Sequence, residues 1–152
     1  MLQLDKTIEE FRGDRSRIYL TGFSMGGAGT YRIAHRWPER FAALFVVAGA
    51  VESSVWTFPG SGARDREANP FTTASDPFAA LAAGIRSLPI WMFHGDADKN
   101  FPVEQSRRLV AALKSANARV EYTEYAGVDH GETAAKAFNA KESISWLLAQ
   151  HR

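Results

Sequence analysis

The residues of this chain best suited to chemistry lie in Gly22-Phe23-Ser24-Met25-Gly26-Gly27. Gly22, Ser24 and Gly26 fit a G-x-S-x-G pattern, in which a serine sits on a sharp strand-to-helix turn. An apolar run, Ile18-Tyr19-Leu20, leads into it, and a helix-like stretch from about Met25 to Arg36 leads out. Glycines let such a turn close on itself and enter positive φ, where a Cβ would clash. The hydroxyl then stands at the positive end of the following helix, where a developing anion is favoured. This is how a nucleophile is presented. A serine that merely caps a helix after a Gly-rich turn satisfies the same pattern, so partners elsewhere in the chain must decide between the two.

Phosphate-binding readings of the same glycines fail. A P-loop needs Lys and then Ser or Thr after its second glycine, and here Ala28-Gly29 follow Gly27. A dinucleotide fingerprint starting at Gly27-Ala28-Gly29 needs a small residue where Arg32 stands.

An acid and a histidine follow the serine in chain order. His94-Gly95-Asp96-Ala97-Asp98 comes just after an apolar run, and His130 lies in a glycine-flanked loop, Gly127 to Gly131. His130 Nε2 would take the proton of Ser24 Oγ and later return it to a leaving group. An aspartate would orient the imidazole and stabilise its cation. Asp98, two residues deeper into its turn, is preferred to Asp96. Asp129 adjoins His130, but neighbours in extended chain point apart. His94 is expected to hold its turn through a backbone hydrogen bond, and His35 and His151 to have no role in a site. A metal reading of His94-x-Asp96-x-Asp98 lacks a second histidine, so no metal is expected.

Positioning these groups needs a particular set of elements. Leu4, Ile8 and Phe11 recur at helical spacing and open the chain with an amphipathic helix that ends at Gly13-Asp14. The run from Ile18 to Phe23 reads as the strand delivering Ser24, and Trp37-Pro38 stops the helix after it. Phe41 to Ala48 reads as a strand covered on both faces, completing a βαβ unit. Leu88 to Phe93 is a third strand, and a helix carrying Val103, Ser106, Val110 and Leu113 follows. Arg119 to Tyr125 is an edge strand bearing Glu121 and Glu124, and one final helix carries Ala134 through Leu148. Strand ends of a parallel sheet share one edge, so Ser24, Asp98 and His130 can converge.

Between Gly49 and Gly84 the pattern loosens, with Trp56, Phe58, Phe71 and Phe78 scattered among prolines and glycines. These aromatics would either wall a substrate site or pack into the core. The 152 residues otherwise form a single domain, numbered 1–152. Eighteen basic and 17 acidic residues give a net charge of +1, which makes no case for nucleic acid or an anionic membrane. There is no cysteine, hence no thiol nucleophile. No signal-peptide core opens the chain, so a cytoplasmic location is the default expectation.

The stretch from Arg17 to Gly49, RIYLTGFSMGGAGTYRIAHRWPERFAALFVVAG, resembles the nucleophile region of α/β-hydrolase esterases. The likeness is to the predicted-peptidase, feruloyl-esterase-like and polyhydroxybutyrate-depolymerase-like group. HGDADKNFPVEQS from His94 resembles that group's acid loop, which implies Asp98 as the acid, and YAGVDHGE from Tyr125 resembles its histidine loop. The resemblance implies cofactor-free hydrolysis of small, short-acyl carboxylic esters through an acyl-serine, with the Met25 N–H as one oxyanion donor.

It also implies a truncated α/β-hydrolase fold of about four parallel strands flanked by helices. The chain accounts only for the last strands of that fold, from the helix before the nucleophile strand onward. An uncovered edge at Ile18-Tyr19-Leu20 invites pairing, so a homo-oligomer or a rearranged segment is expected to cover it. The loop that usually gives the second oxyanion donor is also missing, and one lost donor costs about 10²–10³ in turnover. Two rival readings follow: a non-catalytic oligomerising or partner-binding module, and a peptidase or thioesterase of the same fold.

Overall fold

The computed structural model describes residues 2–52, 71 and 73–152. A four-stranded sheet in the order β1-β2-β3-β4 organises it, with every neighbouring pair parallel. The strands are β1 (Tyr19–Phe23), β2 (Ala43–Val47), β3 (Ile90–Gly95) and β4 (Val120–Tyr125). Around them lie α1 (Leu2–Phe11), α2 (Met25–Arg36), α3 (Pro77–Ile85), α4 (Glu104–Ser115), α5 (His130–Asn139) and α6 (Lys141–Ala149). A 3₁₀ turn at Pro38–Arg40 joins α2 to β2.

Alternation along the strands divides the core. Leu44, Val46, Ile90 and Met92 point to one face, where they meet Tyr31 and Ala34 of α2, Leu81 and Ile85 of α3, and Leu109 and Leu113 of α4. Phe45, Val47 and Phe93 point to the other face, under Ala137 of α5 and Leu147 of α6. Each β2 residue is therefore buried, which is why its sequence is apolar without interruption.

Several expectations are corrected in detail. His94 and Gly95 belong to β3 and do not follow it. His130 is not in a loop: it is the first residue of α5, which Asp129 caps by accepting from the Glu132 N–H at 2.9 Å. The single final helix is two, parted at Ala140, whose extended backbone ends α5, and the Ser143 hydroxyl bonds the carbonyls of Ala137 and Ala140 there. Phe71 and Phe78 are core residues, 1% and 2% exposed, so they wall no site. Trp56 and Phe58 lie outside the described residues.

Among the described residues both outer strands are edges, and they differ. On β4, Glu124 is engaged by Arg107 of α4 at 2.6 Å, and Glu121 is exposed. On β1, the N–H of Ser24 bonds Val47 O and Ile18 O accepts from Ala42, so the even-numbered residues bond β2. The alternation of a parallel ladder then turns the N–H and C=O of Tyr19, Thr21 and Phe23 outward.

Candidate active site

Ser24 stands between β1 and α2 with φ 58° and ψ −120°. A side-chain-bearing residue rarely adopts this conformation, which costs on the order of 1–3 kcal/mol. Two backbone bonds fix it: Ser24 N–H to Val47 O at 3.0 Å, and Ala28 N–H to Ser24 O at 3.1 Å. The positive φ thus falls on the serine itself, not on the flanking glycines. Gly22 is needed for a different reason, because a Cβ there would sit 2.1 Å from Gly26 O.

His130 joins the serine to an acid. Its Nε2 lies 2.8 Å from Ser24 Oγ and its Nδ1 2.6 Å from Asp98 Oδ2. A carboxylate only accepts, so Nδ1 carries the proton and Nε2 is left to accept from the serine hydroxyl. The imidazole is held between Phe23 and Phe101, whose ring centroids are 4.6 and 5.5 Å away.

The Asp98 side chain is wholly buried. Its Oδ1 accepts from the N–H groups of Asn100 (2.8 Å) and Phe101 (2.9 Å), and its Oδ2 also meets His94 Nε2 at 3.2 Å. Burial by itself raises the carboxyl's pKa. Hydrogen bonds from His94, His130 and the two backbone N–H groups outweigh it and bring the value down to about 2. The anion is thereby kept beside His130.

The other two aspartates serve the loops. Asp96 Oδ1 accepts from the Gly127 N–H at 2.6 Å, tying the histidine loop to the acid loop, and Asp129 caps α5. Ala97 N–H to Val128 O at 3.2 Å adds a second tie. These loops pack so closely that a Cβ on Gly95 would lie 2.1 Å from Val128 O. Beside His130 is a cavity of about 420 Å³ lined by Ala97, Lys99, Asn100, Asp129, His130 and Gly131.

His94 reaches the Phe101 carbonyl at 3.1 Å, as expected, but it also meets Ser106 Oγ at 2.7 Å through Nδ1. From sequence, Ser106 has only a place in a helical pattern, and Gln105 does not stand out at all. Gln105 is buried, and its Oε1 accepts from the N–H groups of Val51 and Glu52 at 3.0 Å each, pinning the chain beyond β2 to α4. The available signal was two adjacent polar residues at positions where α4 turns inward. Met25, the first residue of α2, is half exposed, and the first N–H groups of a helix lack intrahelical partners. Among the described residues no group of three or more His, Asp or Glu could hold a metal ion. Among them, too, no helix is long and apolar enough to cross a membrane.

A parallel sheet with helices on both faces, and a serine presented at a strand-to-helix turn, place this chain among the α/β-hydrolases. Solved structures agree. A thermostable esterase superposes with a TM-score of 0.72 at 31% identity over 99% of this chain and 36% of its own. An acylaminoacyl peptidase of Pyrococcus horikoshii gives 0.66 at 20% identity, over 87% of this chain and 23% of its own. Among curated proteins, the isoprenylcysteine alpha-carbonyl methylesterase of Arabidopsis thaliana is 25% identical over 134 residues, 84% of this chain and 29% of that protein. The chain thus spans about a third or less of the methylesterase and the peptidase, and little more of the esterase. The model of the prolyl oligopeptidase family matches residues 1–150, and the chain belongs to that family of esterase- and peptidase-type serine hydrolases.

Proposed function

We propose that this chain carries a serine-dependent carboxylesterase centre acting on small, short-acyl esters. The observation that carries it is the continuous hydrogen-bond chain from Ser24 Oγ through His130 to Asp98, at 2.8 and 2.6 Å. In the mechanism, Ser24 Oγ attacks the ester carbonyl while His130 Nε2 takes its proton. The tetrahedral oxyanion meets the Met25 N–H at the start of α2, and the alcohol leaves with the proton from His130. Water, deprotonated by the same histidine, then attacks the acyl-serine, releasing the acid and restoring Ser24. Asp98 remains ionised throughout and stabilises the imidazolium. Esters are favoured over amides because the esterase and methylesterase likenesses, at 31% and 25% identity, exceed that to the acylaminoacyl peptidase at 20%.

The test is hydrolysis of 4-nitrophenyl acetate and butyrate by wild type and Ser24→Ala. We expect turnover in wild type and a loss of about 10⁴–10⁶-fold in the variant, by analogy with triad knock-outs. Equal rates in the two proteins would sink the reading. Peptide and thioester substrates compared with the esters decide between esterase, peptidase and thioesterase.

A second reading draws on β1. Its outer edge is unpaired among the described residues, and beside it on the α5–α6 face Phe138 and Leu148 are 40% and 59% exposed. Tyr19 places Leu148 there, since its hydroxyl donates to the Leu148 carbonyl at 3.3 Å. A second copy of the chain pairing along β1 would cover strand edge and apolar surface together. Such association is compatible with catalysis, and it would be the whole function if Ser24 proved inert.

A further inference from the structure

Beside Asp98 lies a buried polar pair that the hydrolytic steps leave unused. His94 is 0% exposed and Ser106 1%. Buried polar groups are nearly always hydrogen-bonded, and each contact here restricts the next. His94 Nε2 faces two groups that only accept, the Phe101 carbonyl at 3.1 Å and the Asp98 carboxylate at 3.2 Å. Nε2 must therefore bear the proton. With that proton placed, Nδ1 offers a lone pair to Ser106 Oγ at 2.7 Å, and the hydroxyl donates to it.

We propose that Ser106 and His94 are positioning residues for the acid: Ser106 donates to Nδ1 and orients the His94 ring, and the His94 Nε2–H, shared with the Phe101 carbonyl, holds Asp98 in line with His130. The proposal rests on the hydrolase reading only for its kinetic consequences. Asp98 Oδ2 accepts from His130 Nδ1 at 2.6 Å and lies 3.2 Å from His94 Nε2, whose one N–H it shares with the Phe101 carbonyl. Its Oδ1 is occupied by the Asn100 and Phe101 N–H groups. The carboxylate is thus held from three directions and cannot swing off the imidazole. The three contributing segments differ in kind: β3 brings His94, the turn after it brings the backbone donors, and α4 brings Ser106. The other charged group near this pair is Glu124 on β4, which Arg107 of α4 engages at 2.6 Å.

The experiment compares wild type, His94→Leu and His94→Gln. Leucine keeps apolar bulk without a donor; glutamine restores an N–H where Nε2 stood. We expect His94→Leu to lower kcat about 10- to 100-fold, the range for losing a hydrogen bond to a charged group, with KM little changed. His94→Gln should recover most of it. In proton NMR, the low-field signal of the His130 Nδ1–H should move in His94→Leu and return towards its wild-type position in His94→Gln. That signal does not depend on turnover, so a protein that hydrolyses nothing would refute the proposed function while the positioning role is still judged by the spectrum. A folded His94→Leu with wild-type signal and rate overturns the proposal. Equal impairment of the two variants also overturns it, because the donor would then be immaterial. Should His94→Leu not fold, ¹⁵N spectra of wild type decide: the proposal requires a proton on His94 Nε2 and a bare Nδ1, and any other form overturns it.

Discussion

The two sides of the site are built on different principles. On the β3–β4 side, His94, Ser106 and Asp98 are buried and hydrogen-bonded, and exposed ties from Asp96 and Ala97 join the two loops, leaving little freedom. On the β1 side, Ser24 is positioned by a strained backbone on a strand whose outer edge is unpaired among the described residues. Rigidity in the first case comes from hydrogen bonds that would be costly to leave unmade. In the second it comes from close backbone packing. Damage to the first side should therefore cost catalysis and stability together, and damage to the second should separate them.

After Ser24→Ala, the largest effect is expected from Asp98→Asn. An amide in that place can donate to His130 and reverse its tautomer, as in the chymotrypsin-type triad, where the same exchange lowers kcat about 10⁴-fold. Steady-state hydrolysis of a nitrophenyl ester measures it, and a loss below tenfold would show that Asp98 does not orient the histidine. Next comes Gly95→Ala. Its Cβ would lie 2.1 Å from Val128 O and 2.5 Å from Thr133 Oγ1, forcing the histidine loop off β3. Overpacking of this kind costs about 1–3 kcal/mol, read from the denaturant midpoint. An unchanged midpoint would mean that the two loops are not tightly docked.

The difference between the sides also governs what could be read from sequence. Strand-helix alternation, the Ser24 turn and the order of serine, acid and histidine were legible because they are local patterns of residue type. The preference for Asp98 over Asp96 agrees with the geometry, since Asp98 lies within 2.6 Å of His130 and Asp96 bonds Gly127. Ser106 and Gln105 were not legible, because a polar side chain on an inward helix position means nothing until its partner across the fold is known. The break at Ala140 was hidden for a related reason. Apolar spacing continues through it, and only the carbonyls taken by Ser143 show two helices. Phe71 and Phe78 could equally have walled a site, and tertiary packing decided for the core.

Acid should sharpen the contrast. The Asp98 carboxyl titrates at about 2 in the folded chain against 3.8 ordinarily. Its folded pKa is depressed, so its contribution to stability is fully present above about pH 4 and is lost as pH falls towards 2. The lost amount is of order 2 kcal/mol. Asp98→Asn should lack this component of the acid unfolding curve, and identical curves for the two proteins would contradict it. On the β1 side, Thr21→Lys places a charge on the exposed edge residue. We expect it to abolish self-association on a sizing column while changing stability by less than about 0.5 kcal/mol, as for ordinary surface substitutions. Wild type that is monomeric at every concentration would remove the second-copy proposal.

A last test takes the glycines of the serine turn one at a time. A Cβ on Gly22 would meet Gly26 O at 2.1 Å and Thr30 Oγ1 at 2.7 Å, whereas one on Gly26 meets nothing within 4 Å. Gly26 lies in α2 and is not among the residues of positive φ. Alanine there should stabilise the helix by up to about 0.5–1 kcal/mol, the difference in helix propensity. Gly22→Ala should destabilise, because the strand and helix cannot separate without releasing the Ser24 backbone from Val47. Denaturant midpoints that move in opposite directions would establish that the turn is held by one obligatory glycine. Two losses of equal size would mean instead that Gly26 is constrained by the geometry of the Ser24 turn.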